Sequence, residues 1–198
     1  RARVACEADV VAVGHTMDDQ AETVLLRMVR GAGSRGLGGM HPRSGHVIRP
    51  LIECRRAELR QWLSAAGFAF VHDSSNDDLS IPRNRVRAEL LPLLELRFNP
   101  RVVEGLARQA ALARADERFL QATAEDWWQS AATPHGTGWA VPAAALLDAP
   151  PAVARRALHA ALSRLVAGRP VGFAHVERAW AVVEGRAVAV DGPGHRLE

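Results

Sequence analysis

Two adjacent stretches of the sequence decide the fold, ADVVAVG at residues 8–14 and HTMDDQAETVLLRMV at residues 15–29. The first is a short, valine-rich apolar run that ends at a glycine, a pattern typical of a buried strand. The second carries apolar residues at helical spacing, and Thr16 with Asp19 forms the T-x-x-D pattern of a capping box. We therefore predict a strand over 8–14 and a helix over 16–29.

The alternation of strand and helix continues as far as about residue 80. Residues 47–52 and 68–71 have the composition of short strands, and residues 55–66 have the spacing of an amphipathic helix. That helix is predicted to turn three apolar residues inward, namely Leu59, Trp62 and Leu63. Strands that alternate with helices indicate a parallel α/β unit.

From residue 81 onward the spacing predicts helices only. A helix is predicted to start at Pro82 or Arg83, and Pro92 predicts a break in it. Asn99-Pro100 is the N-cap and first-position pair of a helix that runs to about Trp128. Within it, Trp127-Trp128 is interpreted as core rather than as a surface that stacks on nucleobases, because Trp127 lies on the apolar stripe.

Shorter elements complete the chain. A loop is predicted over 133–138, helices over 143–147, 151–167 and 173–184, and a strand with a glycine turn over 187–194. The expected fold is an α/β region followed by an all-α domain, mostly helical overall. The expected divisions are 1–80, 81–185 and 186–198.

The first strand begins close to residue 1, and only two weak strands follow it. A parallel sheet needs several neighbouring strands, and its edges need cover. We therefore expect this chain to be a piece of a longer protein whose earlier strands lie outside the sequence.

Composition narrows the class of protein. The chain has 198 residues, of which 48% are hydrophobic, and a net charge of +3. It contains no apolar run of about 18 residues that would span a membrane and no secretory pattern, so a cytoplasmic location is expected. Cys6 and Cys54 are too few for a disulfide scaffold. All 25 basic residues are arginine, which fits a GC-rich genome and also suits phosphate recognition.

The first candidate site lies where the first strand meets its helix. His15 follows the strand, and Asp18, Asp19 and Glu22 occupy the first turns of the helix. In open α/β sheets ligands bind at the carboxyl ends of the strands. Such a group could hold a divalent metal, bind an ammonium group or deprotonate a nucleophile. Alternatively, the acidic residues only complement the helix dipole.

The second candidate is the glycine-rich segment 31–36, which matches G-x-G-x-x-G. A dinucleotide motif must follow a strand and open a helix, whereas this segment follows a helix. We interpret it as a loop whose amides could approach phosphate together with Arg30 and Arg35. A plain linker is the alternative.

The third candidate is the segment RNRVR at residues 83–87. Arg83 and Arg87 share one face of a helix, while Arg85 points elsewhere. Three guanidinium groups near a helix start form a phosphate-binding cluster. The alternative is a solvated helix start paired with the nearby Asp77 and Asp78.

The order and spacing of these motifs closely resemble the tRNA(Ile)-lysidine synthases, bacterial enzymes of the PP-loop ATP pyrophosphatase group. The similar segments are GHTMDDQAETVLLRMVRGAGSRGLGGM, IRPLIECRRAELRQWLSAAG, HDSSND with IPRNRVR, and FNPRV. The resemblance is strong over residues 8–115 and weaker up to GRAVAVDGPG at residues 185–194. It implies that the α/β region is the C-terminal part of a Rossmann-like PP-loop domain and that residues 81–185 form a helical tRNA-binding domain.

The resemblance also implies a reaction and roles for residues. ATP would activate the wobble cytidine of tRNA(Ile) as an adenylate, and the amine of free lysine would displace AMP. The implied catalytic residues are His15, Asp19 and Glu22. The implied substrate-binding residues are Asp18, Arg30, Arg83 and Asn84, and the implied tRNA-binding residues are Arg35, Arg85 and Arg87. No protein side chain is assigned to a resident metal, no membrane partner is expected, and a homodimer is left open.

The sequence departs from the family at two points. The family's ATP-binding S-G-G-x-D-S loop does not occur in it, and position 16, often histidine in the family, is threonine. ATP and Mg²⁺ would bind through that loop, so we expect this chain by itself not to modify tRNA and the full-length protein to be active. The alternatives are a non-catalytic RNA-binding module, a related PP-loop ligase and a metal-dependent hydrolase built on His15, Asp19 and Glu22.

Overall fold

A computed structural model describes residues 2–71, 73–136, 138–165, 170–187, 190–191 and 196–197 of the chain. The chain divides into two compact units, Arg1–Glu117 and Arg118–Glu198, and the division falls inside a long helix. None of the helices in the described ranges has the length and apolar character that a membrane crossing requires.

The first unit contains a small sheet of three short strands. After helix α1 (Ala2–Ala5), strand β1 (Val11–Ala12) pairs in parallel with β3 (Val47–Ile48), which also pairs antiparallel with β2 (Arg43–Ser44). The strands predicted over 8–14 and 47–52 are thus present but much shorter. The second one stops early because the chain turns at once, with Ile52 N–H donating to Arg49 O.

Helix α2 (Met17–Val29) begins as the sequence predicts. Thr16 is its N-cap, and the capping box with Asp19 is formed on both sides. Its inner face packs with later helices into the core of the first unit, where Ala21, Leu25, Val86, Leu91 and Val103 are buried. The short helix α3 (Ser34–Leu37) follows in the glycine-rich segment.

Helix α4 (Arg56–Ala65) confirms the predicted helix, but Trp62 is 64% exposed and does not turn inward. The predicted strand over 68–71 is wrong. Phe68 N–H instead caps α4 by donating to Leu63 O, past Gly67 at φ +74°. No neighbouring strand is available to residues 68–71 within the described ranges, and all four residues are exposed.

Pro92 does not break its helix, contrary to the prediction. Helix α5 (Pro82–Arg85), a π-helical turn (Val86–Leu90) and α6 (Leu91–Arg97) follow one another without interruption. Proline cannot donate a backbone hydrogen bond and clashes with the preceding turn of a regular helix. The wider turn just before Pro92 accommodates it, because a π-bulge shifts the hydrogen-bond pattern.

Helix α7 (Val102–Ala131) leads into the second unit, which is mainly helical. Its helices are α8 (Ala143–Asp148), α9 (Pro151–Leu165) and α10 (Phe173–Val183). The expectation of an all-α domain is not confirmed. Strands β4 (Thr133–His135) and β5 (Gly138–Ala140) form an antiparallel hairpin where a loop was predicted, and Gly136 takes φ +55° between them.

The end of the chain is described only in part. Strand β6 (Val190–Asp191) pairs with β7 (Arg196–Leu197). The predicted glycine turn at residues 192–194, the last residues of the helix predicted over 151–167 and part of the strand predicted from residue 187 lie outside the described residues.

Candidate active site

A buried carboxylate, Glu22, and a half-buried one, Asp19, are surrounded by arginines and form the centre of the site. Glu22 is fully buried in α2. Arg87 binds it with two nitrogens, Nε at 2.7 Å from Oε1 and Nη2 at 3.1 Å from Oε2. Arg83 Nε donates to Oε2 at 2.8 Å, and Arg56 Nη2 donates to Oε1 at 3.2 Å. Both oxygens of Glu22 are therefore occupied by guanidinium groups.

Asp19 lies one turn earlier on the same face and shares all three arginines. Its Oδ1 accepts from Nη2 of Arg56, Arg83 and Arg87 at 2.9, 3.3 and 3.2 Å. Its Oδ2 accepts from the backbone N–H and the hydroxyl of Thr16 at 2.8 and 2.7 Å. One carboxylate thus caps the helix and also neutralises the arginine cluster.

The ionisation of Asp19 reflects this double role. Burial alone raises the pKa of its carboxyl. The hydrogen bonds from Thr16 and the charges of Arg56 and Arg83 outweigh burial and hold the pKa below its ordinary value. Among the positive groups, the hydrogen bond to Glu22 raises the pKa of the Arg87 guanidinium, although burial of that group lowers it. Both shifts favour the charged forms of Asp19 and Arg87, as expected for a carboxylate and a guanidinium group that face opposite charges.

The N-termini of α2 and α4 are joined directly. Met17 N–H donates to Cys54 O at 2.9 Å, and Arg56 N–H donates to the Asp18 carboxylate at 2.7 Å. Asp18 therefore fixes the start of the helix that carries Arg56 through the backbone, whereas the Arg56 guanidinium group donates to Asp19 and Glu22. The role it takes in the structure is positional.

Arg55 forms a second ionic group beside the first. It donates to Glu104 at 2.6 Å and to Glu95 at 2.9 Å, and it lies 3.5 Å from Asp18. Burial alone lowers the pKa of the Arg55 guanidinium, but its hydrogen bonds to Glu104 and Glu95 outweigh burial and raise that pKa. This group ties the start of α4 to α6 and α7 within the first unit.

Asn84 is buried behind the arginines and holds the preceding loop. Its Nδ2 donates to Ser75 O at 2.9 Å and to Asp78 O at 3.0 Å. Asn76, in the same loop, accepts from Arg87 Nη1 at 2.9 Å. Residues 73–80 therefore lie beside the arginine cluster, and Arg83 and Arg87 pair with Asp19 and Glu22 rather than with Asp77 and Asp78.

His15 does not join the carboxylates, contrary to the imidazole–carboxylate cluster expected from the sequence. Its Nδ1 accepts a hydrogen bond from Arg49 Nε at 3.2 Å. Across the described part of the chain, no group of three or more His, Cys, Asp and Glu side chains could hold a metal ion. His15 contacts Arg49 while Asp19 and Glu22 face guanidinium groups, so the three ligands expected for a metal-dependent hydrolase are not brought together among the described residues.

Three other predicted residues lie away from this centre. Arg30 is exposed at the C-terminal end of α2, two turns beyond Glu22, Arg35 is exposed on α3, and Arg85 points away from Arg83 and Arg87. The glycine-rich segment is packed against α2 by Arg27, which donates to Gly36 O and Gly39 O. It is thus an ordered connection and not an open loop.

Sequence reasoning missed Arg49, Arg55, Arg56 and Gln20. Gln20 is 1% exposed, and its amide exchanges two hydrogen bonds with the backbone of Met40, at 3.0 and 2.7 Å. Arg55 and Arg56 stand at the start of a helix, where positive charge is unfavourable to the helix dipole. That anomaly was the available signal that both arginines pair with acids elsewhere.

Comparison with known proteins first defines the class. Residues 1–94 match the family model of the PP-loop domain. The matched residues make up a little under half of the chain, and they include the site described above except for the Glu95 and Glu104 carboxylates that bind Arg55.

Comparison with individual proteins then gives the particular relatives. The chain is 40% identical over 96% of its length to the tRNA(Ile)-lysidine synthase of Thermobifida fusca (strain YX), and it covers 59% of that protein. It is 40% identical over 94% of its length to the same enzyme of Mycolicibacterium paratuberculosis (strain ATCC BAA-968 / K-10), of which it covers 59%. It is 47% identical over 62% of its length to the enzyme of Geobacter sulfurreducens (strain ATCC 51573 / DSM 12127 / PCA), of which it covers 26%. The chain thus spans about three-fifths or less of these relatives, and the resemblance inferred from its motifs is confirmed.

Proposed function

We propose that this chain is part of an enzyme that uses ATP to join free lysine to the wobble cytidine of tRNA(Ile), forming lysidine. The observation that carries the proposal is the carboxylate pair of buried Glu22 and half-buried Asp19, which faces Arg56, Arg83 and Arg87 just beyond the carboxyl end of β1. The similarity to tRNA(Ile)-lysidine synthases supports the choice of substrates.

The proposed reaction has two steps. The cytidine O2 attacks the α-phosphate of ATP and pyrophosphate leaves, which gives an adenylated cytidine. The amine of lysine then attacks C2, a C–N bond forms, and the C2–O bond breaks as AMP departs with the oxygen. The amine enters as an ammonium ion, so it must give up a proton before it becomes a nucleophile.

Asp19 and Glu22 suit the lysine side of this reaction. Two carboxylates can hold an ammonium group and accept its proton as the new bond forms. Without substrate, both carboxylates are neutralised by guanidinium groups. We infer that the lysine ammonium replaces part of this pairing when it binds.

The arginines suit the phosphate side. Guanidinium groups bind phosphate oxygens through two parallel hydrogen bonds and stabilise the charge that develops on a leaving phosphate. Arg56, Arg83 and Arg87 released from the carboxylates would bind the phosphate of the adenylate. The net charge of +1 in the cluster favours an anion in addition to the ammonium ion.

The remaining roles follow the family resemblance. His15 is proposed to meet the cytidine and Arg30 to meet phosphate outside the cluster. For Asp18 and Asn84 the resemblance implies substrate binding, and their contacts with the backbone support a positioning role for both. Arg35 and Arg85 are proposed to contact the tRNA backbone. Arg87 is proposed to approach the tRNA only from the side of Asp19 and Glu22, with which it pairs. The partners are tRNA(Ile), lysine and ATP, and none of these steps is assigned to a metal ion held by the described residues.

The test is ATP-dependent incorporation of labelled lysine into tRNA(Ile) by the full-length gene product. We expect Glu22→Gln to lower the rate by about 100-fold or more, because the amide neither pairs with the ammonium nor takes its proton. The matched control is Glu89→Gln, an exposed glutamate of the π-helical turn, which should keep the wild-type rate.

Two results would overturn the proposal. One is a Glu22→Gln protein of native circular dichroism that keeps the wild-type rate. The other is a wild-type protein that binds tRNA(Ile) tightly but incorporates no lysine, which would favour the non-catalytic RNA-binding module instead.

A further inference from the structure

Two tryptophans of the second unit form an aromatic pair with one open face. The ring of Trp128, on α7, and that of Trp139, on β5, have centroids 6.5 Å apart and planes inclined at 63°. Trp128 is 8% exposed, whereas Trp139 is 59% exposed. The buried ring therefore fixes the exposed one by an edge-to-face contact, the geometry that aromatic pairs prefer.

The hairpin determines where Trp139 is held. It stands opposite Pro134 in the β4–β5 register, one position from the tight turn at Gly136. Tryptophan has few rotatable bonds, so a ring held in this way loses little entropy when a ligand covers it. A single exposed apolar residue needs no explanation, but this one borders a cavity.

The cavity beside the aromatic pair has a polar rim. Its volume is about 430 Å³, and it is lined by Trp128, Trp139, Glu125, Gln129 and Arg164. Arg164 Nη2 lies 3.0 Å from each carboxylate oxygen of Glu125. The lining thus combines an aromatic surface with an amide, a carboxylate and a guanidinium group.

This combination selects a flat ligand with hydrogen-bonding edges. An apolar side chain could cover the indole, but it would offer no hydrogen bond to the Gln129 amide, and it would leave Glu125 and Arg164 only their bonds to each other. A nucleobase stacks on the ring through its face and meets such groups through its edge.

We propose that Trp139, supported by Trp128, stacks on an unpaired nucleobase of an RNA strand, with Glu125, Gln129 and Arg164 at the edge of the base. This subsite lies outside the carboxylate–arginine site. RNA as the source of the base rests on the proposed function, whose substrate is a tRNA. A free nucleotide offers the same chemistry and is separated by the experiment.

The experiment measures binding of the full-length protein to two labelled single strands of equal length, an oligoadenylate and an abasic ribose-phosphate strand. Wild type should prefer the oligoadenylate. Trp139→Ala should lower that affinity about tenfold and abolish the preference, while binding of the abasic strand stays unchanged. Trp139→Phe should keep most of the preference, because it retains an aromatic face.

Trp62→Ala is the matched control, since Trp62 is 64% exposed and belongs to the other unit. The proposal is overturned if Trp139→Ala keeps the wild-type preference for bases, or if Trp62→Ala loses it equally. It is also overturned in favour of a free nucleotide if Trp139→Ala loses AMP binding but binds the oligoadenylate normally. These measurements need no lysine transfer, so a failure of the proposed function alone leaves them interpretable.

Discussion

Glu22 has no contact with solvent, and its two oxygens accept hydrogen bonds from three guanidinium groups. An unpaired charge in such a place is costly, and removing one partner of a buried ion pair leaves that cost uncompensated. Asp19 lies nearer the surface and is held by Thr16 as well as by the arginines. Burial alone raises the pKa of the Asp19 carboxyl, but the hydrogen bonds from Thr16 and the charges of Arg56 and Arg83 outweigh burial and lower it.

The lowered pKa of Asp19 predicts how the free energy of unfolding depends on pH. Its folded-state pKa lies below the ordinary value of 3.8, so its contribution is complete above that value and is lost as the pH falls through the folded-state pKa. We expect Asp19→Asn to reduce the slope of unfolding free energy against pH in this acid range, by up to about 1 kcal/mol per pH unit. Urea unfolding at a series of pH values measures it.

The control for this prediction is Asp126→Asn, which removes an exposed carboxylate of α7. It should keep the wild-type slope. A slope that is the same in wild type and in Asp19→Asn would mean that the pairing of Asp19 with Thr16 and the arginines does not stabilise the fold.

At the scale of elements, the site depends on three helix starts that meet. The starts of α2 and α4 are joined by one backbone hydrogen bond, from Met17 to Cys54, and by Asp18. Helix α5 with its π-helical turn supplies Arg83 and Arg87. The segment 73–80 that precedes α5 has little regular structure beyond one 3₁₀ turn and is held by Asn84. Asn84 therefore determines whether this segment stays beside the arginines.

Asn84→Ala should uncouple the segment from α5. The substitution removes the Asn84 donor from the carbonyls of Ser75 and Asp78, of which Asp78 O still accepts from Ile81 N–H at 3.3 Å. We expect the free energy of unfolding to fall by about 1–3 kcal/mol. Denaturant unfolding measures the loss, and proteolytic cleavage within 73–80 should become faster. Arg85→Ala, an exposed neighbour on the same helix, should change stability by less than about 0.5 kcal/mol; equal losses in both variants would contradict the prediction.

The glycine-rich connection gives a second prediction at this scale. Gly39 has φ +60°, and a Cβ there would lie 2.7 Å from Gln20 Oε1. Gly67 has φ +74° with no atom near its Cβ position. Gly67→Ala should therefore cost only the backbone strain, about 1 kcal/mol, whereas Gly39→Ala should cost roughly twice that or more because it displaces Gln20 from Met40.

Thermal and urea unfolding of the Gly39→Ala and Gly67→Ala proteins measure the loss of stability in each. The difference between them isolates the contact with Gln20, since both positions require the left-handed conformation. Equal destabilisation would show that displacing Gln20 from its hydrogen bonds with Met40 does not lower the free energy of unfolding.

At the scale of the whole molecule, the charge is weakly positive and evenly spread. The net charge is +3, and both halves of the sequence contain nearly balanced numbers of arginines and acids. Many arginines are neutralised in pairs, including Arg55, Arg56, Arg83 and Arg87. Affinity for a polyanion such as tRNA must then come from the exposed arginines that are outside these pairs.

Arg85 allows a direct test of this expectation, because it is exposed and lies outside the pairs named above. Arg85→Ala should weaken binding of tRNA(Ile) and of unrelated tRNA alike, and it should reduce the slope of log K against log salt by about 1. Arg85→Lys keeps the charge and should keep the slope. Binding measured between low and moderate salt tests this, and an unchanged slope in Arg85→Ala would remove Arg85 from the tRNA interface.

The sequence by itself determined what local patterns control. The capping box at Thr16 and Asp19, the helix α4, the helix start at Pro82 and the shared face of Arg83 and Arg87 all depend on neighbours a few residues apart. The family resemblance also came from the sequence, because motif order and spacing are linear properties.

Tertiary structure alone decided which charges meet. Arg56 and Arg83 are 34 and 61 residues from Glu22, and no spacing rule links such positions. Residues 68–71 have the composition of a strand, but a strand exists only where another strand supplies hydrogen bonds. Pro92 was tolerated because the preceding turn widened, and Trp139 was exposed because a hairpin formed where a loop was predicted. Each outcome depended on partners distant in the chain, which is why local pattern could not settle it.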